Sequence, residues 1–274
     1  MIKSLILNIF LNIFSKDKKI KFSIFLCKIS RALLESGFNS IAEPKINGEY
    51  FWLKKYNSRL QNIIDAGANI GTWSENLLKT QSYLKNIIII EPNEVLCEHL
   101  SEKFEKDPRV IIECTALDYR KDRLFLNIQN DKHSQATVSA TSNFPVNCQL
   151  SRKYINTNNL DNIIKKYAIS QIDLLKLDVE GFENYALLGS RTLIRKGKIK
   201  LIQFEVTNAW ETAGCSPCSI FRFLKNNNFI IYFIEPNGLK KLKNIDSLTH
   251  FSIYCNFLAI HKTVIKNFYM DVFN

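Results

Sequence analysis

From residue 61 onward the chain alternates short apolar runs with stretches of helical periodicity, and few folds accept that alternation. The runs are Asn62–Asp65, Asn86–Glu91, Val110–Cys114, Ile172–Asp178, Ile199–Val206 and Phe229–Ile234, with Ser252–His261 closing the series. Helical candidates lie between them, near 72–81, 94–106, 159–168, 183–196 and 217–227. Strands separated by helices predict βαβ units and a parallel sheet with helices on both faces. With 274 residues, 46% of them hydrophobic, the chain can bury the core of one α/β domain with extra elements, or of two small domains.

Two regions break the pattern. Residues 1–60 read as a helical extension that leads into a short hairpin near Asn47-Gly48, so the α/β domain is expected over 61–274. Residues 118–157 read as an insertion on the sheet's edge or over its mouth, with short strands at Leu124–Ile128 and Ala136–Ala140. The apolar segment Met1–Phe14 is too short, and too interrupted by Asn8 and Asn12, to span a bilayer. It predicts an amphipathic helix packed on this chain's own core or on a second copy in a homodimer. Lys16, Lys18, Lys19 and Lys21 follow it, which keeps a membrane surface as the other reading.

The net charge of +11 could signal nucleic acid, but the lysines are scattered among abundant asparagine and isoleucine, and no nucleic-acid partner is expected. The seven cysteines have no metal-ligand spacing, and no metal site is expected. Cys27, Cys97, Cys114, Cys148 and Cys255 sit near apolar residues and read as small core residues. Cys215-Ser-Pro-Cys218 reads as a helix start, with Ser216 as N-cap and Pro217 in the first turn. This usage fits a reducing compartment, hence the cytoplasm, with the inner face of a membrane as the peripheral variant.

The first strand ends in Asp65-Ala-Gly67-Ala-Asn69-Ile-Gly71, at the start of the first helix. Glycines there let backbone approach a ligand closely. A dinucleotide fingerprint would read G-x-G-x-x-G, whereas here the glycines stand four apart behind an acid. Asp65 would repel a pyrophosphate and attract an ammonium, and S-adenosylmethionine offers one. Glu91, before Pro92 at the tip of the second strand, can accept hydrogen bonds from both hydroxyls of a ribose. Lys176-Leu-Asp178-Val-Glu180-Gly181 ends the fourth strand and Glu205 lies near the end of the next, so Asp178, Glu180 and Glu205 can converge at one mouth. Acids gathered there raise one another's pKa, which suits a general base. They could equally hold a divalent cation, or be neutralised structurally by Lys176. His133 in the insertion is an alternative base. Trp210, read on a loop after Glu205, and Trp73 flank the mouth and could stack on a sugar ring.

Asp65–Gly71, Glu91-Pro92, Thr157-Asn-Asn-Leu-Asp161, Leu175–Glu183, Leu188-Gly189 and Glu205, in that order and spacing, resemble the FkbM family of methyltransferases over about residues 62–261. The resemblance implies a Rossmann-like class I sheet of seven strands, mostly parallel with the last antiparallel, and S-adenosyl-L-methionine as cofactor. It implies that Asp65, Gly67, Asn69 and Gly71 line the methionine part and Glu91 the ribose, with Thr115 and Ala116 as the adenine wall. It also implies methyl transfer to a hydroxyl, with a sugar of a surface glycan or its precursor as the acceptor. Three other readings stay open. A nucleic-acid methyltransferase would usually carry Asp/Asn-Pro-Pro-aromatic where Asp178-Val-Glu-Gly181 stands. A nicotinamide oxidoreductase conflicts with the glycine spacing. A non-catalytic module would have kept the fold alone.

Overall fold

The computed structural model describes residues 15–37, 43–56, 60–120, 124–129, 137–139, 150–207, 209–243 and 255–272. The chain forms two compact units, residues 1–40 and 41–274. The first holds helix α1 (Lys16–Gly37). The second begins not with a hairpin but with helix α2 (Glu49–Lys55), for which Gly48 serves as N-cap in the left-handed region at φ 101°. Asn47 Oδ1 accepts from Glu49 N at 2.9 Å, so the Asn-Gly pair starts a helix rather than joining two strands. Trp52, Leu53 and Tyr56 carry this helix into the core of the second unit, which therefore includes residues assigned above to the extension.

The remaining elements follow the expected alternation: β1 (Asn62–Ala66), α3 (Thr72–Thr80), β2 (Asn86–Ile90), α4 (Glu94–Phe104), β3 (Val110–Glu113), β4 (Ala116–Leu117), β5 (Leu124–Gln129), β6 (Thr137–Ser139), β7 (Leu150–Ile155), β8 (Thr157–Asn158), α5 (Leu160–Lys166) and β9 (Ile172–Leu177). Then come α6 (Glu183–Gly189), α7 (Arg191–Arg195), β10 (Ile199–Val206), α8 (Ala209–Thr212), α9 (Pro217–Asn226), β11 (Phe229–Glu235), β12 (Gly238–Lys241), β13 (Cys255–His261) and α10 (Ile265–Val272). The main sheet has the order β12-β11-β13-β10-β9-β1-β2-β3. Strands β3, β2, β1, β9 and β10 run parallel, and β13 inserts antiparallel between β10 and β11. This is the class I methyltransferase arrangement with one strand more than the seven expected. The extra strand, β12, pairs with β11 across a tight turn at the sheet's edge.

The central strands are buried on both faces, which is why they read as runs dominated by isoleucine and leucine. Ile63, Ile64, Ile87, Ile88, Leu174 and Leu175 are fully buried. Helix α4 buries Leu96, Leu100 and Phe104, spaced by four, against the sheet, and Asn93 caps it by accepting from Val95 N at 3.2 Å. At α9, Ser216 is the N-cap position before Pro217 as expected, although its side chain makes no capping bond. The helix expected over 183–196 is two, broken at Ser190, whose Oγ donates back to Ala186 O at 2.8 Å. The insertion forms a three-stranded sheet ordered β6-β5-β7, with β7 the strand that sequence reading missed. Cys97 and Cys114 are joined in a disulfide rather than standing as two separate core thiols, which removes part of the basis for expecting a reducing compartment. Among the described residues, no helix is long and apolar enough to cross a membrane.

The topology fixes where a ligand can sit. The chain runs outward from β1 through β2 to β3, then crosses to β9 on the other side of β1. The switch point therefore lies between β1 and β9, whose carboxyl ends carry Gly67 and Asp178.

Candidate active site

Two clefts open at this switch point. The first is lined by Gly67, Asn69, Glu91 and Pro92 on one side and by Asp178 and Glu180 on the other, with Thr115 and Ala116 also on its wall. Leu96, Leu117, Leu124, Leu126 and Phe182 complete an apolar slot. The second is lined by Glu43, Glu49, Tyr50, Trp73, Lys176 and Asp178, together with Gln203, Glu205 and Asn256. Gly67, Asn69 and Asp178 belong to both, so Asp178 stands where the clefts meet.

Gly67 is required at the crossing. Its φ is +80°, and a Cβ there would lie 1.8 Å from Asp178 O. The backbone of the β1 loop thus runs against that of the β9 loop with no room between. Glu91 is buried at the lip of the first cleft, where Oε2 accepts from Asn69 N at 2.9 Å and Oε1 from Asn93 N at 3.0 Å. Burial raises its carboxyl above the usual range, and the two backbone donors oppose that rise. Each oxygen keeps a lone pair for a further donor, as a ribose diol would need.

The turn after β9 is held under strain. Glu180 has φ +53° and Gly181 φ +95°, and a Cβ on Gly181 would meet Ala209 O at 2.5 Å. Glu183 reaches back from the first turn of α6, its Oε1 accepting from Val179 N at 3.0 Å. Its carboxyl is pushed up to about 8 by complete burial, and Oε2 has no hydrogen-bond partner among the described residues. Burial, then the neighbouring Asp178, raises Glu180 as well.

A buried lysine organises the acids beside the second cleft. Lys176 Nζ lies 3.1 Å from Asp178 and 3.4 Å from Asp65, and 5.4 Å over the Trp73 ring. Burial alone would depress its ammonium, but Asp178, Asp65 and Glu49 together push it above the ordinary lysine value. Glu49 is buried too, accepting from Asn47 Nδ2 at 2.7 Å and Gln203 Nε2 at 2.5 Å, and burial raises its carboxyl.

Several expected roles need correction. Asp65 lines neither cleft. In the parallel register it sits opposite Lys176, is fully excluded from solvent, and accepts from Ser74 Oγ at 2.5 Å. It anchors α3 and answers a buried lysine, so its charge does not face an incoming ammonium. Gly71 also faces away from both clefts, because a Cβ there would lie 2.6 Å from Leu100 Cδ2. Its smallness serves helix packing. Trp210 lies in α8, 1% exposed, with Nε1 donating to Glu205 O at 2.9 Å and its ring against Phe204, so it presents no face for stacking. His133 lies outside the described residues.

Sequence reading missed Glu49 and Tyr50, because the hairpin reading of Asn47-Gly48 hid their helix, and it missed Gln203 and Asn256. Lys176 had been weighed only as a neutraliser. A lysine inside the apolar run Ile172–Leu177 was the available signal, since a buried strand cannot carry a cation without acids around it. Among the described residues, no group of three His, Cys, Asp or Glu side chains could hold a metal ion.

The first cleft fits S-adenosylmethionine in its chemistry, with an apolar slot for an adenine, a carboxylate at the lip for a ribose, and acids beyond for a cationic end. Residues 65–235 match the methyltransferase FkbM domain. Among solved structures, methyltransferase FkbM from Methylobacillus flagellatus KT is similar at 16% identity and a TM-score of 0.46, over 73% of this chain. The match spans only 44% of that protein's chain. An rRNA methylase from Streptococcus thermophilus aligns at 8% identity and a TM-score of 0.45, over 81% of this chain and 98% of its own. TrmK from M. capricolum, in complex with S-adenosyl-homocysteine, aligns at 12% identity and 0.43, over 78% and 67%. No curated protein matches the chain. The domain match covers well over half of the sequence and both loops of the switch point, and the chain belongs to the FkbM family of methyltransferases.

Proposed function

We propose that this methyltransferase acts on a hydroxyl group, and that the acceptor is a sugar or a sugar-like polyol seated in the second cleft. The observation that carries this reading is the meeting of the two clefts at Asp178. When bound, S-adenosylmethionine supplies a methyl group already activated for transfer, so alignment of the acceptor is the protein's main task. Asp178, 43% exposed at the junction, is the group able to accept an acceptor's O–H and take its proton. Lys176 holds its carboxylate from behind, 3.1 Å away. Glu205 and Asn256 offer an acceptor and donors suited to vicinal hydroxyls, with the buried, mutually bonded Glu49 and Gln203 behind them, and Tyr50 supplies aromatic surface. Glu180 lines the first cleft only, so its carboxylate serves the donor side.

The balance of charge supports a hydroxyl over nucleic acid. Glu43, Glu49, Asp178 and Glu205 face the second cleft against Lys45 and Lys176, and that excess of acid disfavours a phosphate backbone. A test combines labelled S-adenosylmethionine, a panel of sugars and nucleotide sugars, and the Asp178→Asn variant. Transfer to a sugar hydroxyl, with a loss of at least about a hundredfold in the variant at unchanged cofactor affinity, is expected. Transfer to RNA and not to any sugar, or full turnover in Asp178→Asn, would overturn the reading.

A further inference from the structure

Helix α1 has the wrong surface for a helix in water. Ile24, Phe25, Leu26, Ile29 and Leu33 are 51, 55, 48, 41 and 69% exposed. At 100° per residue, Phe25, Leu26, Ile29 and Leu33 fall on one side of the cylinder. Lys21 and Lys28 lie along one edge of that stripe, Lys19 along the other, and Lys18 at its N-terminal end. Over its length the helix carries Lys16, Lys18, Lys19, Lys21, Lys28 and Arg31 against Asp17 and Glu35.

We propose that α1 is a docking surface for an anionic lipid bilayer, lying in the plane of the interface with its phenylalanine and leucine stripe down and its lysines at headgroup level. Charge decides between a bilayer and a second copy of the chain. Pairing two such stripes would bring the flanking lysines of both copies together, with six cations against two acids on each helix. Anionic headgroups neutralise the same lysines while the acyl region takes the apolar side chains. The helix lies on the membrane and does not cross it, since no described helix is long and apolar enough to span.

Co-sedimentation of the full chain with phosphatidylcholine vesicles, with and without about a third phosphatidylserine, tests this without reference to methyl transfer. Binding to the anionic vesicles is expected, weakened at least tenfold by raised salt, because each lysine near such a surface is worth about fivefold. The Lys21→Glu/Lys28→Glu variant should lose at least about twenty-five-fold, and Phe25→Glu/Ile29→Glu should fail to bind, both at unchanged melting temperature. Equal binding to neutral vesicles would overturn the electrostatic assignment. Absence of vesicle binding, or self-association abolished by Phe25→Glu/Ile29→Glu, would give the face to a second copy instead.

Discussion

Replacing Glu183 by glutamine should make the protein more stable, and by an amount that depends on pH. Glu183 is fully buried behind the strained turn at Glu180-Gly181, with one oxygen bound to Val179 N and the other without a partner among the described residues. Burial raises its carboxyl from 4.5 to about 8. A carboxyl raised in the folded state binds a proton that the unfolded chain releases, so stability is fully present below pH 4.5 and is lost as pH rises towards about 8. Each pKa unit is worth about 1.4 kcal/mol, so at pH 7 the wild type has lost roughly 3 kcal/mol relative to acid conditions. Glutamine resembles the neutral acid in shape, keeps an acceptor for Val179 N, and has no proton to lose. Urea unfolding of both proteins from pH 4.5 to 9 checks this. The two should be nearly equal at pH 4.5, glutamine should gain roughly 3 kcal/mol by pH 7, and the gap should level off above pH 8. A difference that stays constant with pH would refute the buried, proton-binding Glu183.

Gly67→Ala should abolish S-adenosylhomocysteine binding and cost at least about 3 kcal/mol, because the added Cβ would lie 1.8 Å from Asp178 O at φ +80°; calorimetry together with thermal melting reads both effects. Lys176→Met should cost about 3–5 kcal/mol by leaving Asp65 and Asp178 beside an uncharged side chain. Adding Asp65→Asn should restore part of that loss, and strict additivity in the double mutant would deny the pairing.

Most of the sheet was legible because its central strands are buried on both faces, which calls for isoleucine and leucine at nearly every position. The glycine loop and Glu91 were legible for a related reason: close approach and a strand-tip acid are local requirements with local signatures. Asp65 was misread because its meaning is set across the sheet. The register that places it opposite Lys176 joins residues 111 apart in sequence, and no local pattern announces it. Trp210 was misread because a loop reading left it exposed, whereas α8 folds it onto Phe204. The disulfide escaped because Cys97 on α4 and Cys114 beyond β3 meet only once helix and strand pack. The second cleft was the least legible feature, since Trp73, Lys176, Asp178 and Glu205 drew notice singly while Glu49, Tyr50, Gln203 and Asn256, from segments far apart in sequence, complete its walls without any local pattern.

The central claim is that the first cleft holds the methyl donor with Glu91 on its ribose. Calorimetric titration of the wild type and Glu91→Ala with S-adenosylhomocysteine, with NADH as the control ligand, tests it directly. The account predicts micromolar binding to the wild type, about −8 kcal/mol, at least tenfold weaker binding to Glu91→Ala, and no heat with NADH. Equal affinity in the two proteins would contradict it.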